Sequence, residues 1–368
     1  MRTNCLTIIP AAFILLTGTL AAQTAPAPAP APPPSPLHQW GMDFTFTLDG
    51  YTDKNFNNPP SKLNGLRNFD FRNNSAYFSY GQITVDKAPG PVGFHVDFGA
   101  GKTFDWIHSG DRANVTAEGF KYFKQAYIDF KPKALKGLQL DFGKFVTSAG
   151  AEVIDTPLNW NYTRSLLFAW AIPYYHVGIR SSFPVGEHFT GGVQLVQGWN
   201  ATYDNNKGKT VGLTGSYNWK KATWSNVYYV GQEKANSSGV RHLYDTTIMV
   251  NPTDKISTYI NYDYGQDKIP GAGTAKWSGI AAAARFAIGK KAAFAPRVEY
   301  FKDIDGFATG TTQALKEITL TGEYKLAPWL ISRLEFRNDW SDVAFFEKKN
   351  NFGKSQPTLL LGVVVYVK

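Results

Sequence analysis

Charged residues occupy every second position of a segment near the carboxyl end of the chain, namely Arg333, Glu335, Arg337 and Asp339. In an extended strand, residues two apart point to the same side, so this segment predicts a charged strip on one face of a sheet. The same alternation places other charged side chains on that face, namely Asp97, Asp141, Arg180, Arg285, Arg297, Glu299 and Glu323. Two interpretations remain open: a field that acts on dissolved ions, or cross-strand ion pairs that complete a hydrated wall.

Residue types that carry enzymatic or metal chemistry form no local motif in this sequence. The six histidines lack metal-ligand spacing, no G-x-S-x-G nucleophile elbow occurs, and Cys5 is the only cysteine. Residues 99–103 (GAGKT) match the end of a phosphate-binding loop, but Val96 stands where that motif needs glycine. We therefore predict a strand end that leads into a loop, and no catalytic residue, metal site or cofactor.

The first 38 residues predict export of the chain. Residues 1–22 contain Arg2, an uncharged apolar stretch and small residues at the end, which is typical of a cleaved secretory signal peptide. The alternative is a retained membrane anchor, but no basic stop-transfer cluster follows. Residues 23–38 are rich in alanine and proline, which favours extended polyproline and predicts a periplasmic linker. The folded domain is then expected at 39–368.

The composition favours a membrane-embedded β-barrel. Aromatic residues make up 15% of the chain and charged residues 18%, below the roughly 25% usual in soluble domains. After residue 22, no stretch reaches the ~18 apolar residues of a spanning helix. The formal net charge of +9 favours acidic lipid headgroups or anionic solutes as partners over nucleic acid, which an exported chain rarely meets.

Alternation with period two predicts an all-β fold, a transmembrane antiparallel up-and-down barrel of about sixteen strands. In residues 42–48, for example, apolar and polar side chains alternate throughout. Short turns such as 184–187, 220–221 and 289–291 alternate with longer polar loops, which places the short turns and both termini in the periplasm. A soluble β-sandwich or solenoid is the alternative, but it does not explain this alternation. The predicted strands span 39–51, 69–86, 91–99, 119–131, 137–146, 174–184, 189–199, 209–219, 222–233, 241–251, 255–266, 274–288, 292–303, 315–326, 330–340 and 356–368.

Residues 143–200 carry a resemblance to a known family. They contain GKFVTSAGAEVID, NWNYTRSLLF, IPYYHVGIR and VQGWN, and these segments resemble the Putative beta-barrel porin-2 family, the OmpL-like porins. The resemblance implies a pore-forming protein in the outer membrane of a Gram-negative bacterium, in contact with outer-membrane lipids and lipopolysaccharide. The chain ends in LGVVVYVK, similar to the signal read by the outer-membrane assembly machinery, although Lys368 replaces the usual terminal aromatic residue.

The longest predicted loop, 147–173, is expected to fold inward and constrict the pore. Non-helical backbone at membrane depth must be buried in protein or line water. An apolar run would pack on the inner wall, and acidic and basic groups would oppose each other across the aperture. The alternative is an ordinary outer loop in which Arg164 pairs with an acidic neighbour. The predicted constriction residues are Glu152, Asp155, Asn161, Arg164 and Trp170, and the predicted lumen charges are Arg180, Arg297, Glu299, Arg333, Glu335 and Arg337.

The function implied is passive diffusion of small hydrophilic solutes and ions through a homo-oligomeric channel, without a chemical step. As in porins, the oligomer is expected to be a trimer. A first alternative is a solute-specific channel, for example for oligosaccharides, in which tyrosine and tryptophan of the third loop stack on the solute. A second is an outer-membrane lipase or esterase that assembles serine and histidine from separate strands.

Overall fold

The computed structural model describes residues 37–111, 119–135, 137–235 and 237–368. The predicted signal peptide and nearly all of the predicted linker lie outside these residues. Sixteen strands form one closed antiparallel barrel, in which each strand pairs with the next and the last strand pairs with the first. The predicted sixteen-stranded barrel is confirmed. The barrel strands are β1 (Asp43–Asn55), β2 (Ala76–Lys87), β3 (Val92–Gly101), β4 (Phe123–Phe130), β5 (Gln139–Val146), β6 (Tyr175–Val185), β7 (Phe189–Val196), β8 (Thr210–Asn218), β9 (Ala222–Gln232), β10 (Val240–Thr253), β11 (Ile256–Ile269), β12 (Gly273–Ile288), β13 (Ala292–Asp303), β14 (Gln313–Ala327), β15 (Leu330–Ser341) and β18 (Ser355–Val367).

The alternation in sequence becomes the two faces of the barrel wall. On β15, Leu334 and Phe336 are exposed on the outside, whereas Arg333, Glu335 and Arg337 are buried on the inside. An outer apolar face suits the hydrocarbon of a bilayer, and an inner polar face requires water or protein partners. The charged strip predicted from the sequence therefore faces the lumen.

Several strand boundaries differ from the sequence prediction by a few residues, and two of these differences change how the chain is organised. β2 begins at Ala76, since residues 69–75 turn into the barrel, where Phe69 and Asp70 are buried. The connection between the predicted strands 255–266 and 274–288, which we expected to be one of the long loops, is a three-residue turn, because β11 and β12 stay paired until Ile269 meets Gly273. Polar residues near the ends of these two strands had suggested a loop.

Within the described residues, the helices are short and lie in the longer connections between strands. They are α1 (Lys102–Ile107), α2 (Leu166–Trp170) and two 3₁₀ turns, Phe120–Tyr122 and Thr156–Leu158. The GAGKT stretch therefore ends β3 as predicted but leads into α1, where a loop was expected. In the described part of the chain, no helix has the length and apolar character needed to span a membrane. The last long connection contains a small hairpin of β16 (Phe346–Glu347) and β17 (Phe352–Gly353).

The largest apolar cluster lies inside the barrel. Leu166, Leu167 and Phe168 of α2 are almost fully buried in it, together with Trp277 of β12 and Phe301 of β13. A polar lumen wall alone offers few apolar partners, so this cluster exists because the connection between β5 and β6 enters the barrel. We call this connection, residues 147–174, the inner loop.

Candidate functional site

The inner loop contacts wall residues from most of the barrel circumference. The Asn161 side-chain amide donates to the Ala295 carbonyl at 2.9 Å and to the Thr321 hydroxyl at 2.7 Å. On β1, three strands from β14 in the barrel, Asp49 accepts from the Thr156 hydroxyl at 2.5 Å. The Ala151 N–H donates to the Asn261 side chain at 3.2 Å. The loop is thus held between β1, β11, β13 and β14, inside the barrel.

Arginines of the charged strip bind backbone carbonyls of the inner loop. Arg333 donates to the carbonyls of Thr156 at 2.8 Å and Asn159 at 2.6 Å, and it pairs with Glu323 on β14. Arg337 donates to the Arg164 carbonyl at 2.5 Å. Guanidinium groups present five donors in a fixed fork, so a single arginine satisfies both a wall carboxylate and several loop carbonyls.

Carboxylates of the same wall bind N–H groups of the inner loop. Glu335 accepts from the Tyr162 N–H at 2.6 Å and the Thr163 N–H at 3.0 Å. Glu299 accepts from the first two N–H groups of α2, those of Leu166 and Leu167, at 3.0 and 3.2 Å. These two N–H groups have no partner within a helix, and a carboxylate at a helix N-terminus is favourable. The wall therefore presents arginines to the carbonyl groups of the inner loop and carboxylates to its N–H groups.

Wall glycines leave room for inner-loop side chains. A Cβ added to Gly362 of β18 would lie 2.2 Å from the Tyr162 ring, and one added to Gly279 of β12 would lie 2.7 Å from the Leu167 side chain. Tyr162 uses this space to donate its hydroxyl to Asp49 at 2.7 Å. The packing of the inner loop thus depends on two glycines that no motif singled out.

The structure separates the three charged residues expected to oppose each other across an aperture. Arg164 is only 2% exposed and donates to the carbonyls of Val153 and Ile154 at 2.9 and 2.6 Å. These hydrogen bonds join two parts of the inner loop to each other. Glu152 pairs with Arg297 of β13 at 2.7 Å. The expected opposition across an aperture and the alternative pairing of Arg164 with an acidic neighbour are both absent, because loop carbonyls occupy this guanidinium.

The other predicted constriction residues are also engaged within the barrel. Asp155 accepts from the Lys124 ammonium of β4 at 2.5 Å. Trp170 donates its indole N–H to the Leu66 carbonyl at 3.0 Å. The apolar run around α2 packs on β12 and β13, which is the packing that the sequence suggested. Val153 and Leu158 are more than one third exposed, at 37% and 58%.

Of the predicted lumen charges, only Arg180 combines an ion pair with substantial exposure. Its side chain is 22% exposed and pairs with Asp141 at 2.7 Å, whereas the side chains of Arg297, Arg333 and Arg337 are at most 1% exposed. Arg180 borders a cavity of about 380 Å³ that lies along β5 to β9. The wall opposite the charged strip is therefore the side on which open space remains.

A second inward segment was missed by sequence reasoning. Residues 56–75 follow β1, and Arg67 in this segment is buried between Asp70 and Asp339, at 2.5 and 2.8 Å. Gln356 of β18 accepts from the Gly65 N–H at 2.7 Å. The sequence signal was the polar Asn- and Asp-rich composition of this loop, which is equally typical of a solvated loop.

A third connecting segment, between β3 and β4, carries a buried histidine. His108, directly after α1, donates through Nδ1 to the Phe104 carbonyl at 2.7 Å, and its Nε2 lies 2.5 Å from the Lys144 ammonium. Burial and the Lys144 charge lower the pKa of His108 to about 4. The carbonyl contact requires a proton on Nδ1, so Nε2 is left as the acceptor for lysine. Within the described residues, no group of three or more His, Cys, Asp or Glu side chains is arranged to hold a metal ion.

Several solved bacterial barrels resemble this chain. The anion-selective porin from Comamonas acidovorans gives a TM-score of 0.61 at 10% identity, over 88% of this chain and 99% of that chain. The outer membrane channel DcaP of Acinetobacter baumannii gives 0.60 at 9% identity, over 90% and 99%. OmpT of Vibrio cholerae gives 0.59 at 12% identity, over 88% and 97%. At these identities the likeness shows a shared fold. No curated protein matches the chain in sequence.

A closed sixteen-stranded barrel with an apolar outer face and a polar interior is the architecture of an outer-membrane porin. The sequence supports the same class independently of the structural likeness. Residues 41–366 match the family described as Putative beta-barrel porin-2, OmpL-like, and the chain belongs to that family. The family resemblance read from residues 143–200 is thereby confirmed.

Proposed function

We propose that this porin passes small hydrophilic solutes and ions by passive diffusion, and that the inner loop narrows its lumen. The observation that carries the proposal is the set of hydrogen bonds between the inner loop and wall strands that lie seven strands apart, from Lys124 on β4 to Asn261 on β11. A loop held in this way occupies cross-section that solutes would otherwise use. Diffusion through such a channel involves no chemical step, so the proposed protein is not an enzyme.

The proposed path runs along β5 to β9. The cavity there is bordered by hydroxyl and amide side chains, among them Ser148, Gln194, Thr214 and Ser225. These groups exchange hydrogen bonds with water and with hydrophilic solutes, whereas the strip on β13 to β15 is already paired with the inner loop. Solutes would therefore pass beside the inner loop, opposite the charged strip.

The orientation and assembly are part of the proposal. The short turns, such as residues 219–221 between β8 and β9, would face the periplasm together with both termini, and residues 1–22 would direct export. We also propose a homotrimer in contact with outer-membrane lipids and lipopolysaccharide. Its support is that OmpT of Vibrio cholerae, which shares the fold, has a trimer form.

Single-channel recording of the refolded protein in a planar bilayer tests the proposed function. Discrete conductance steps are expected, and liposomes that contain the protein should swell in small sugars faster than in large ones. A folded protein that gives neither steps nor swelling contradicts passive diffusion. Separately, hydrolysis of a chromogenic ester by the purified protein would contradict the assignment as a non-enzymatic channel.

A further inference from the structure

We propose that the cavity beside β5 to β9 binds a small hydrophilic solute that carries a carboxylate, with Arg180 as the group that binds the carboxylate. The inference deepens the proposed function, since it names the solute class that the same lumen recognises. It rests on the position of Arg180, on the partners of its nitrogens and on the lining of the cavity. Among the residues that the structure describes, no other arginine of the barrel combines these three features.

The Arg180 side chain is held in place by its neighbours, but only one of its three guanidinium nitrogens donates a hydrogen bond to the described protein groups. Its Nε donates to Asp141 at 2.7 Å. Its guanidinium carbon lies 4.5 Å from the centre of the Phe145 ring and 5.1 Å from that of Tyr127. Among the residues that the structure describes, the two terminal nitrogens have no hydrogen-bond partner. A fixed guanidinium with two free nitrogens is suited to bidentate binding of a carboxylate.

Asp141, the carboxylate that pairs with Arg180, does not prevent an anion from binding to Arg180. Asp141 accepts from Arg180 through one oxygen and from the Gln139 side chain, at 2.9 Å, through the other. The Asp141 side chain is only 7% exposed, compared with 22% for Arg180. A solute in the cavity therefore meets the guanidinium rather than the carboxylate.

The rest of the lining matches a solute with hydroxyl groups. The cavity of about 380 Å³ lies within the usual range for small-molecule sites, and a sugar acid or hydroxy acid fits in it. Ser148, Gln194, Ser216 and Ser225 border it with donors and acceptors. Neutral polar groups of this kind recognise solute hydroxyls without a requirement for charge.

The other lumen arginines are unsuited to this role because protein groups occupy them. Every guanidinium nitrogen of Arg297, Arg333 and Arg337 has a partner in the wall or the inner loop. Arg285 is the matched control: it also has one ion pair, with Glu323 at 2.8 Å, and its side chain is 28% exposed, but it does not border the cavity.

Calorimetry on the detergent-refolded protein tests the inference with D-glucuronate and D-glucose, which differ mainly by the carboxylate. We expect glucuronate to bind at least about tenfold more tightly than glucose, because a charge-assisted hydrogen bond contributes about that much. Arg180→Gln should weaken glucuronate binding at least about tenfold, and Arg285→Gln should leave it unchanged. Circular dichroism and the heat-dependent shift on gels verify that both variants fold.

The outcomes separate this inference from the proposed function. Equal binding of glucuronate and glucose, absence of glucuronate binding, or equal effects of the two arginine variants would overturn the site, even if the protein forms channels. Conversely, glucuronate binding that depends on Arg180 in a protein without conductance steps would support the site and contradict diffusion through the lumen.

Discussion

Glu335→Gln is expected to loosen the inner loop while preserving the shape of the side chain. Glu335 accepts three hydrogen bonds, from the N–H groups of Tyr162 and Thr163 and from the Thr321 hydroxyl at 2.6 Å. Glutamine has one acceptor oxygen, and its NH₂ group would face a second donor. At least one buried loop N–H therefore loses its partner.

The magnitude follows from the chemistry of the lost contact. A hydrogen bond to a charged group contributes roughly 1.5–3 kcal/mol, and an unsatisfied buried donor costs about 1–3 kcal/mol. A loss of roughly 3 kcal/mol in the docking of this part of the loop corresponds to about a hundredfold increase in the population of its opened form. The remaining contacts of the inner loop still hold it inside the barrel.

Hydrogen exchange measured by mass spectrometry on the inner loop tests this expectation. Peptides that contain Tyr162 and Thr163 should exchange about a hundredfold faster in Glu335→Gln. Asp267→Asn is the control, since Asp267 is an inward carboxylate of β11 that pairs with Arg241 at 2.6 Å and has no bond to the inner loop. Unchanged protection in Glu335→Gln would refute the view that this carboxylate docks the loop.

Three further perturbations follow from the same structure. Gly362→Ala should lower the free energy of unfolding by about 1–3 kcal/mol in urea titrations followed by tryptophan fluorescence, because its Cβ overlaps the Tyr162 ring. Lowering the pH from 6.5 to 4 should remove up to about 3 kcal/mol of stability through His108, since its pKa is about 4 in the folded protein and 6.5 as the ordinary value; urea titrations across this range measure it. Arg164→Lys keeps the charge but loses the fork that binds the Val153 and Ile154 carbonyls, so limited proteolysis should cleave the inner loop faster.

Each of these expectations has its own control. Gly322→Ala adds a Cβ to β14, where the nearest atom lies at 3.9 Å, and equal destabilisation by both glycine variants would count against the overlap with Tyr162. The histidine must be neutral when folded and charged when unfolded, so His108→Gln should flatten the pH dependence between 6.5 and 4. An unchanged slope in that variant would assign the effect to other groups. Wild-type cleavage rates in Arg164→Lys would mean that the fork is dispensable.

The barrel was predictable because each strand carries its own signal. Alternation along a single segment fixes which side chains face the lumen, and it requires no knowledge of distant residues. The charged strip of β15 was therefore placed correctly. The turn at 270–272 was not predicted. Polar side chains at the mouth of a barrel are typical of a loop, whether or not the backbone there stays paired in strands.

The partners inside the lumen were not predictable in the same way. Arg164 was expected to oppose Glu152 and Asp155 on grounds of charge. In the folded loop, its guanidinium instead donates to the carbonyls of Val153 and Ile154, and the sequence does not reveal this contact. Such contacts depend on loop conformation, and charge alone does not distinguish a carboxylate from a carbonyl as the partner of an arginine.

Cysteine modification during single-channel recording tests the central claim, that solutes pass beside the inner loop along β5 to β9. Ser225→Cys places a thiol in the cavity, and Thr321→Cys places one behind the inner loop, where Thr321 is fully buried. Cys5, the only cysteine of the chain, lies in the predicted signal peptide. A bulky cationic thiol reagent should lower the current through Ser225→Cys and leave Thr321→Cys unaffected. Full modification of Ser225→Cys without a change in current, or block of Thr321→Cys alone, would contradict the proposed path.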